Sequence, residues 1–307
     1  MTSYIVLKVL RALISLLIAV SLVFIFIRFS GDPAAALAPP DASQEVIEEY
    51  RELMGLDKPL LQQYTGFISG LFKGEFGYSI HTGKSSLTLF LERLPLTLRL
   101  GTTALVIAIV FGVILGTISA LNRDSALDRL VMAFSVFAFA MPNFLFGLII
   151  ILVGALGFKI FFGGQAATES FFGVIPPALT LGLASMGAYA RFTRSSLLEI
   201  INSPFMRAAE ARGVPRLRRL IFHAAPNAAI PLVTILGLSI GTLIAGSVVT
   251  EQVFAWPGVG QLLVRSVATR DIATVQFIVM AIAMTTILAN LMIDLLYLVI
   301  DPRIRPS

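Results

Sequence analysis

Residues 207 to 226 read RAAEARGVPRLRRLIFHAAP, a charged stretch within a chain that is otherwise strongly hydrophobic. It holds five arginines, and a single arginine at the centre of a bilayer costs about 3 kcal/mol. The stretch therefore lies outside the hydrocarbon. Alanines and aliphatic residues recur at helical spacing on both sides of Gly213, which predicts a short helix, a bend and a second short helix. We expect this segment to lie against the membrane and to bind a partner protein.

The composition of the whole chain is that of an integral membrane protein. Of its 307 residues, 57% are hydrophobic and 13% are charged, whereas soluble domains are about 45–50% apolar and about 25% charged. The chain has no cysteine, which excludes disulfides, thiol catalysis and cysteine metal sites. Its net charge of +5 is explained by the arginine excess of cytoplasmic loops, so no nucleic-acid partner is predicted.

Six weakly charged stretches predict six transmembrane helices, because a helix needs about 20 apolar residues to cross a bilayer. The predicted spans are 9–29, 100–121, 130–158, 170–190, 224–250 and 272–300. We expect Pro142 to kink the long third span. Pro176 and Pro177 predict the start of a fourth span that continues past Arg191. The predicted fold class is an all-α integral membrane protein with six transmembrane helices.

The spans and loops divide the chain into four regions. They are a cytoplasmic end with the first span (1–30), an outer segment (31–93), a core with five spans (94–300) and a cytoplasmic tail (301–307). The core includes residues 200–226, here named the charged loop. Within the outer segment we expect an N-capped helix that begins near Asp41 and an amphipathic helix over Leu60–Phe72.

Loop charges predict which side of the membrane each loop occupies. With both termini, the 122–129 loop and residues 191–223 on one side, that side carries thirteen basic and five acidic residues. By the positive-inside rule this side is cytoplasmic. The charged loop therefore faces the cytoplasm.

No catalytic motif is present in the sequence. Metalloprotease, nucleophile-elbow and Walker-type patterns are all absent, so we predict neither a catalytic residue nor a metal site. Residues 82–85 read TGKS but lack the upstream glycine of a phosphate-binding loop. Asp294 is the one acid in an otherwise apolar span, and either a proton or cation site or a structural hydrogen bond would explain it. Its closeness to Asp301, at about 1.5 Å per residue, favours the structural role.

Two glycine-containing motifs suggest close packing or a gate. Gly112 and Gly116 form a GxxxG pattern that permits close approach of another helix, and packing inside the bundle is the favoured interpretation. The only tryptophan lies in Trp256-Pro257-Gly258. It is either an anchor at the membrane interface or part of a rigid re-entrant element at the outer side.

The charged stretch resembles the cytoplasmic loop of the permease subunits of ATP-binding-cassette (ABC) importers. That loop has a pattern of EAA, three residues, Gly, nine residues and then I-x-L-P, and Ala208, Ala209, Gly213 and Pro226 fall at matching positions. Arg207 replaces the glutamate, and HAA replaces I-x-L. Both departures resemble the dipeptide, oligopeptide and nickel permease family, of the dipeptide permease B type.

The resemblance extends over nearly the whole chain. The matching segments are GDP at 31–33, GLDKP at 55–59, GEFGYS at 74–79, LPLTL at 94–98, VFAWPG at 253–258, RD at 270–271 and the ending from Tyr297 to Arg303. The resemblance implies the type I ABC importer permease fold in the inner membrane. It also implies a second, non-identical permease, two ATPase subunits that bind ATP and magnesium, and an extracytoplasmic substrate-binding protein, with no cofactor in this chain.

Site residues follow from the resemblance. Those implied in coupling to the ATPases are Arg207, Ala208, Ala209, Glu210, Gly213 and Pro226. Trp256, Pro257 and Gly258 are implied in an outer gate or in docking of the binding protein. The predicted substrate is a dipeptide or oligopeptide, with glutathione or a nickel chelate as the alternative. A secondary transporter would want ionisable residues at mid-membrane, and an intramembrane enzyme would need a nucleophile or metal pair, so both are less favoured.

Overall fold

The computed structural model describes residues 2–29, 34–35, 38–39, 41–53, 55–158, 163–170, 172–241 and 243–300. Over these residues it is all-helical apart from turns and one isolated antiparallel bridge between Tyr78 and Ser85. The α-helices are α1 Thr2–Phe29, α2 Gln44–Leu53, α3 Leu60–Lys73, α4 Ser86–Leu121, α5 Ala126–Ala140, α6 Asn143–Val153, α7 Gln165–Glu169, α8 Ile175–Ile201, α9 Pro204–Ala211, α10 Arg216–Arg219, α11 Ala225–Gly241, α12 Leu243–Gly246, α13 Val248–Val253, α14 Val259–Ala268 and α15 Ile272–Ile300. Three further turns are helical: Gly154–Phe158 and Leu220–Ala224 are π-helical and Phe172–Val174 is a 3₁₀ turn. The all-α prediction is confirmed.

The number of apolar helices agrees with six spans. By length and composition, four helices can each cross a membrane: Ile5–Phe26, Ser86–Leu121, Phe172–Ile201 and Ile272–Leu295. Two bent helix pairs, counted as one span each, bring the number to six. Helix α8 begins at Ile175, with Pro176 and Pro177 in its first turn, and continues past Arg191, as predicted.

The third predicted span is not one kinked helix over 130–158. It consists of helices Ala126–Ala140 and Asn143–Gly157, whose axes meet at 102°. Met141 has an extended backbone with ψ 131°, because a residue before proline is driven out of the helical region. Because the sequence is an unbroken apolar run here, it predicted one kinked helix where the structure has two helices.

Two other predicted spans have different limits. α4 begins at Ser86 rather than near residue 100, because its first turns carry charged side chains that the hydropathy pattern excludes. The predicted fifth span, 224–250, is divided into α11, α12 and the first half of α13. The two predicted helices of the outer segment are both present, as α2 and α3.

The chain forms two compact units, one of residues 1–95 and 259–307 and the other of residues 96–258. This division groups the last helix with the N-terminal segment, whereas the predicted four-region division follows the sides of the membrane and stays a prediction. In the first unit, α1 and α15 pack antiparallel, and Lys8 Nζ lies 2.7 Å from Asp294 Oδ2. This ion pair gives Asp294 the structural role that its position in the sequence favoured.

The outer part of the first unit is held by aromatic contacts. Phe24 of α1 stacks on Phe67 of α3 and meets Tyr64 edge-on, and the Tyr64 and Ser21 hydroxyls are 2.7 Å apart. Helix α3 therefore packs along a membrane-spanning helix instead of standing away from it.

The second unit is built around α4 and α8, which approach closely at glycines. A Cβ at Gly112 would lie 2.5 Å from Tyr189 Cβ, and one at Gly116 would overlap the carbonyl oxygen of Ala190. The predicted role of this GxxxG pair in packing within the bundle is therefore confirmed. Only glycine permits this separation, since added side-chain volume in a packed core must displace its neighbours.

Candidate functional site

The charged loop forms a helix, a tight turn and the start of a second helix. Helix α9 ends in a Schellman motif: the Val214 N–H donates to the Ala209 carbonyl at 3.1 Å and the Gly213 N–H to the Glu210 carbonyl at 2.8 Å. Gly213 has φ 74°, and the open space around it would accommodate a Cβ. Glycine is therefore required here by the left-handed backbone and not by lack of room.

The second helix of the charged loop is not the separate short helix that was predicted. Helix α10 continues through the π-helical segment Leu220–Ala224 into α11. Pro226 has no N–H to donate to the carbonyl of Phe222, four residues earlier. A π-helical segment is a common way for a helix to accommodate such a gap in its hydrogen bonds. The bend at Gly213 therefore aligns α9 with the beginning of a long apolar helix.

An ion pair at the surface links the two helices. Both oxygens of Glu210 accept hydrogen bonds from the Arg219 guanidinium, at 2.8 and 2.9 Å. This bidentate contact holds the pKa of the Glu210 carboxyl below its ordinary value of 4.5. The carboxylate therefore stays ionised, and the pair stays formed, throughout the neutral pH range.

The inner face of α9 packs onto the helical bundle. Met206 is 4% exposed and belongs to an apolar cluster with Ala120 of α4, Leu197 of α8 and Ala224 of the π-helical segment. Ala209 is also buried, at 9% exposed. Ala209 thus contributes to packing within this chain and is not part of the outer face, although the resemblance implied a coupling role for it.

The outer face of α9 and α10 is basic and partly apolar. Of the residues implied in coupling, Arg207, Ala208, Glu210, Gly213 and Pro226 are all exposed. Further exposed residues of the charged loop are Phe205, Arg212, Arg216, Leu217, Arg218 and Phe222. Leu217 and Phe222 are 68% and 70% exposed. Large exposed apolar side chains among charged ones are typical of a protein-docking surface.

The second unit also contains a buried ion pair that sequence analysis did not identify. Asp128 of α5 is 3% exposed and accepts two hydrogen bonds of 2.7 Å from the Arg194 guanidinium of α8. Ser119 of α4 donates a further hydrogen bond to this carboxylate. Arg194 lies one turn before Leu197, whose side chain contacts the Met206 cluster. The signal available in the sequence was an acidic residue in α5 and basic residues in α8, both mainly apolar helices, but Asp128 and Arg194 are 66 positions apart.

Residues 247–258, here named the tryptophan loop, are buried at seven positions, including Phe254 and Trp256. The Trp256 side chain is fully buried against Leu100, Val174 and Ala178, and its indole N–H donates to the Leu96 carbonyl at 3.1 Å. Pro257 and Gly258 are buried as well. All three residues are buried in this conformation. Their roles in an outer gate or in docking of the binding protein both stay predictions.

The tryptophan loop is held by a buried carboxylate. Glu251 is 0% exposed and one of its oxygens accepts hydrogen bonds from the Thr97 and Ser247 hydroxyls, at 2.7 and 2.9 Å. A Cβ at Gly258 would lie 2.5 Å from this carboxylate. The glycine is therefore required by lack of room, in contrast to Gly213.

Comparison with known proteins gives matches over nearly the entire chain. Residues 108–306 match the family model described as binding-protein-dependent transport system inner membrane component, and residues 1–101 match the model of its N-terminal region. The glutathione transport system permease protein GsiC of Escherichia coli strain K12 is 38% identical over 308 aligned residues, which cover 99% of both chains. Proteins of the same name from Shigella dysenteriae serotype 1 and Shigella flexneri serotype 5b match to the same extent.

Proposed function

The chain belongs to the family of binding-protein-dependent transport system inner membrane components, and from that premise we propose that it imports small peptides. It is a permease subunit of an ABC importer and a multi-pass protein of the inner membrane. Importers of this kind work with ATPase subunits and a substrate-binding protein. The substrate, the stoichiometry and the orientation are the parts that the proposal adds.

The observation that carries the proposed coupling to the ATPases is the geometry of the charged loop. Its outer face is exposed, basic and partly apolar, and the turn at Gly213 is fixed by two backbone hydrogen bonds. Its inner face reaches the bundle through Met206. A partner that moves the outer face therefore moves the apolar helices that hold the inner face. This is the mechanical link that an ATP-driven rocking of the spans needs.

The proposed assembly has two permeases, two ATPases and one binding protein. This chain pairs with a second, non-identical permease, and each permease docks its charged loop on one ATPase. ATP and magnesium are bound by the ATPases, and this chain holds no cofactor. In this arrangement Ala208 contacts the ATPase directly, while Met206 and Ala209 support it from within.

Both termini are proposed to lie in the cytoplasm. The Lys8–Asp294 ion pair joins the beginning of α1 to the end of α15, so the two ends of the chain are on one side. The excess of basic residues on the loops of that side supports a cytoplasmic location.

The proposed substrates are small peptides, and glutathione is the tripeptide to test first. The relatives compared above are glutathione permeases by name, and glutathione, like a dipeptide, presents amides and terminal carboxylates. Among the described residues, no group of three His, Cys, Asp or Glu lies close enough to hold a metal ion, and no observation favours a nickel chelate over a peptide.

The test is the ATPase activity of the complete complex in lipid nanodiscs. Binding protein loaded with glutathione or with the dipeptide dialanine is expected to stimulate hydrolysis, and unloaded binding protein to do so much less. Stimulation by a nickel chelate alone would keep the architecture and contradict the peptide assignment. Absence of any co-purifying ATPase would contradict the docking role of the charged loop.

A further inference from the structure

A cavity of about 220 Å³ lies among four helices of the second unit and the start of a fifth. It is lined by Gly101, Ala104 and Leu105 of α4, Asn143 of α6, Leu181 and Ser185 of α8, Ser239 of α11, and Leu243 and Gly246 of α12. Its polar groups come from three separate elements. A cavity below about 300 Å³ is smaller than a typical small-molecule site, so it is too small to enclose a peptide by itself.

The break between α5 and α6 opens into this cavity. Asn143 is the first residue of α6, immediately after the 102° bend at Met141 and Pro142. The first turn of a helix has backbone N–H groups without partners inside the helix. Such irregular backbone is tolerated at membrane depth only where it is covered by protein or lines a polar cavity. Discontinuous helices of this kind are found at the substrate sites of other transporters.

Ser185 is a second indication of a polar pathway. Its side chain is exposed on α8, a helix that is long and apolar enough to span the membrane. It lies one turn after Leu181, so both residues lie on the cavity face of α8. A polar side chain that is exposed within a span is better accommodated in a polar cavity than against lipid.

The third polar group is tied to the interior of the bundle. Ser239 accepts a hydrogen bond of 3.0 Å from the Tyr189 hydroxyl, and Tyr189 is itself 1% exposed. This bond fixes the position of Ser239 on α11 relative to α8. The remaining wall is made of small residues, and a Cβ at Gly101 would lie 3.2 Å from Leu243 Cδ2. The polar groups are therefore held on closely packed helices.

The described lining residues offer neutral hydrogen-bonding groups only. The Asn143 amide and the two serine hydroxyls can each donate and accept, and none of the nine lining residues is charged or is a histidine. Such a wall matches the backbone amides of a peptide and does not select its side chains by charge.

We propose that this cavity is the part of the translocation pathway formed by this chain, and that Asn143, Ser185 and Ser239 bind the amide groups of the passing peptide. The inference rests on the proposed function and adds the residues that contact the substrate. Selection among peptides is then left to the binding protein, because this wall binds the peptide backbone, which all peptides share.

The first test uses the absence of cysteine from this chain. Ser185→Cys is compared with Thr102→Cys in complexes whose other subunits are cysteine-free. Thr102 is exposed and next to Gly101, but it does not line the cavity, which makes it a control at a similar depth. We expect labelling of Ser185→Cys by aminoethyl methanethiosulfonate to slow at least several-fold during import of dialanine or glutathione, and labelling of Thr102→Cys to stay constant.

A second variant separates the pathway from coupling. Asn143→Leu is expected to lower the peptide imported per ATP hydrolysed about ten-fold, the effect of losing one hydrogen bond, for dialanine and glutathione alike. ATPase stimulation by the loaded binding protein is expected to persist, and its persistence would show that the variant folds and assembles. Asn143→Gln, which keeps the amide, retains most of the import.

The results of these tests distinguish failure of the pathway inference from failure of the proposed function. Suppose that the wild-type complex imports peptide, that labelling of Ser185→Cys does not slow, and that Asn143→Leu imports normally. These results would overturn the inference and leave the importer assignment intact. Wild-type complex that imports neither dialanine nor glutathione would overturn the peptide assignment, and the inference with it.

Discussion

The charged loop and the tryptophan loop both contain a glycine next to a turn, yet the two glycines are needed for opposite reasons. Gly213 has a left-handed backbone and open space around it, whereas Gly258 is pressed against the buried carboxylate of Glu251. The charged loop exposes its outer face and is held by an ion pair at the surface. The tryptophan loop is held by hydrogen bonds in the interior. One loop is thus built to be contacted, and the other to resist movement.

The largest effect is expected from Gly213→Pro. Proline fixes φ near about −65°, which is incompatible with the φ of 74° at this position, and it removes the N–H that donates to the Glu210 carbonyl. ATP-driven uptake in vesicles should be lost while the chain still inserts into the membrane, since the membrane-spanning segments are unaltered. Gly213→Asn, a residue that tolerates the left-handed region, should retain uptake. Unchanged uptake by Gly213→Pro would show that the bend is not needed for coupling.

Alanine substitutions at the two glycines should differ in stability. In Gly258→Ala the new Cβ meets the Glu251 carboxylate at 2.5 Å, and overpacking of this kind costs about 3 kcal/mol in the free energy of unfolding. Gly213→Ala meets no neighbour and should cost about 1 kcal/mol for its left-handed backbone. Thermal unfolding in detergent measures both. Gly66→Ala, within α3 and with open space around it, is the control and should be stabilising by about 0.5 kcal/mol. A larger loss at Gly213 than at Gly258 would reverse the comparison.

The adjacent alanines of α9 divide the charged loop into an inner and an outer face. Ala209→Leu adds volume at a buried position and should cost about 2 kcal/mol of stability. Ala208→Leu adds the same volume at an exposed position and should change stability by less than about 0.5 kcal/mol. Ala208→Leu should nevertheless reduce the amount of ATPase that co-purifies. If Ala208→Leu were the less stable of the two, the assignment of faces would be wrong.

The smallest effect is expected from the Glu210–Arg219 ion pair. Either Glu210→Arg or Arg219→Glu should lower uptake a few-fold by loosening the angle between the two helices, and the double exchange should restore most of it. Because the pKa of Glu210 lies below 4.5 in the folded chain, the pair is present above that pH and is lost as the pH falls through the lowered pKa. Uptake should therefore show no dependence on this pair across the neutral range. A double exchange with no recovery would mean that the two residues act separately.

Sequence reasoning succeeded for features that depend on the physical requirement of a single residue type. Arginines that cannot enter hydrocarbon located the charged loop, and Pro176-Pro177 located the start of α8. It failed where the requirement comes from distant neighbours. The burial of Trp256 depends on residues of α4 and α8, and the Asp128–Arg194 pair joins positions far apart in the chain. Pro142 predicted the position of the kink between α5 and α6, but the angle of that kink depends on the packing of the neighbouring helices.

The charged loop was predicted more completely than the cavity for the same reason. Its residues are contiguous, so their spacing can be compared with a known pattern. Asn143, Ser185 and Ser239 are single polar residues on separate helices, and their convergence follows only from the packing of those helices.

Site-specific cross-linking tests the difference between the two loops most directly. Single cysteines at Ala208 in the charged loop and at Val249 in the tryptophan loop, which is 55% exposed, would carry the same photoactivatable cross-linker in the complete complex. The ATPase subunit should be captured from Ala208 and not from Val249. Capture of the ATPase from Val249, or its absence at Ala208 while transport is intact, would contradict the central claim that the charged loop is the docking surface.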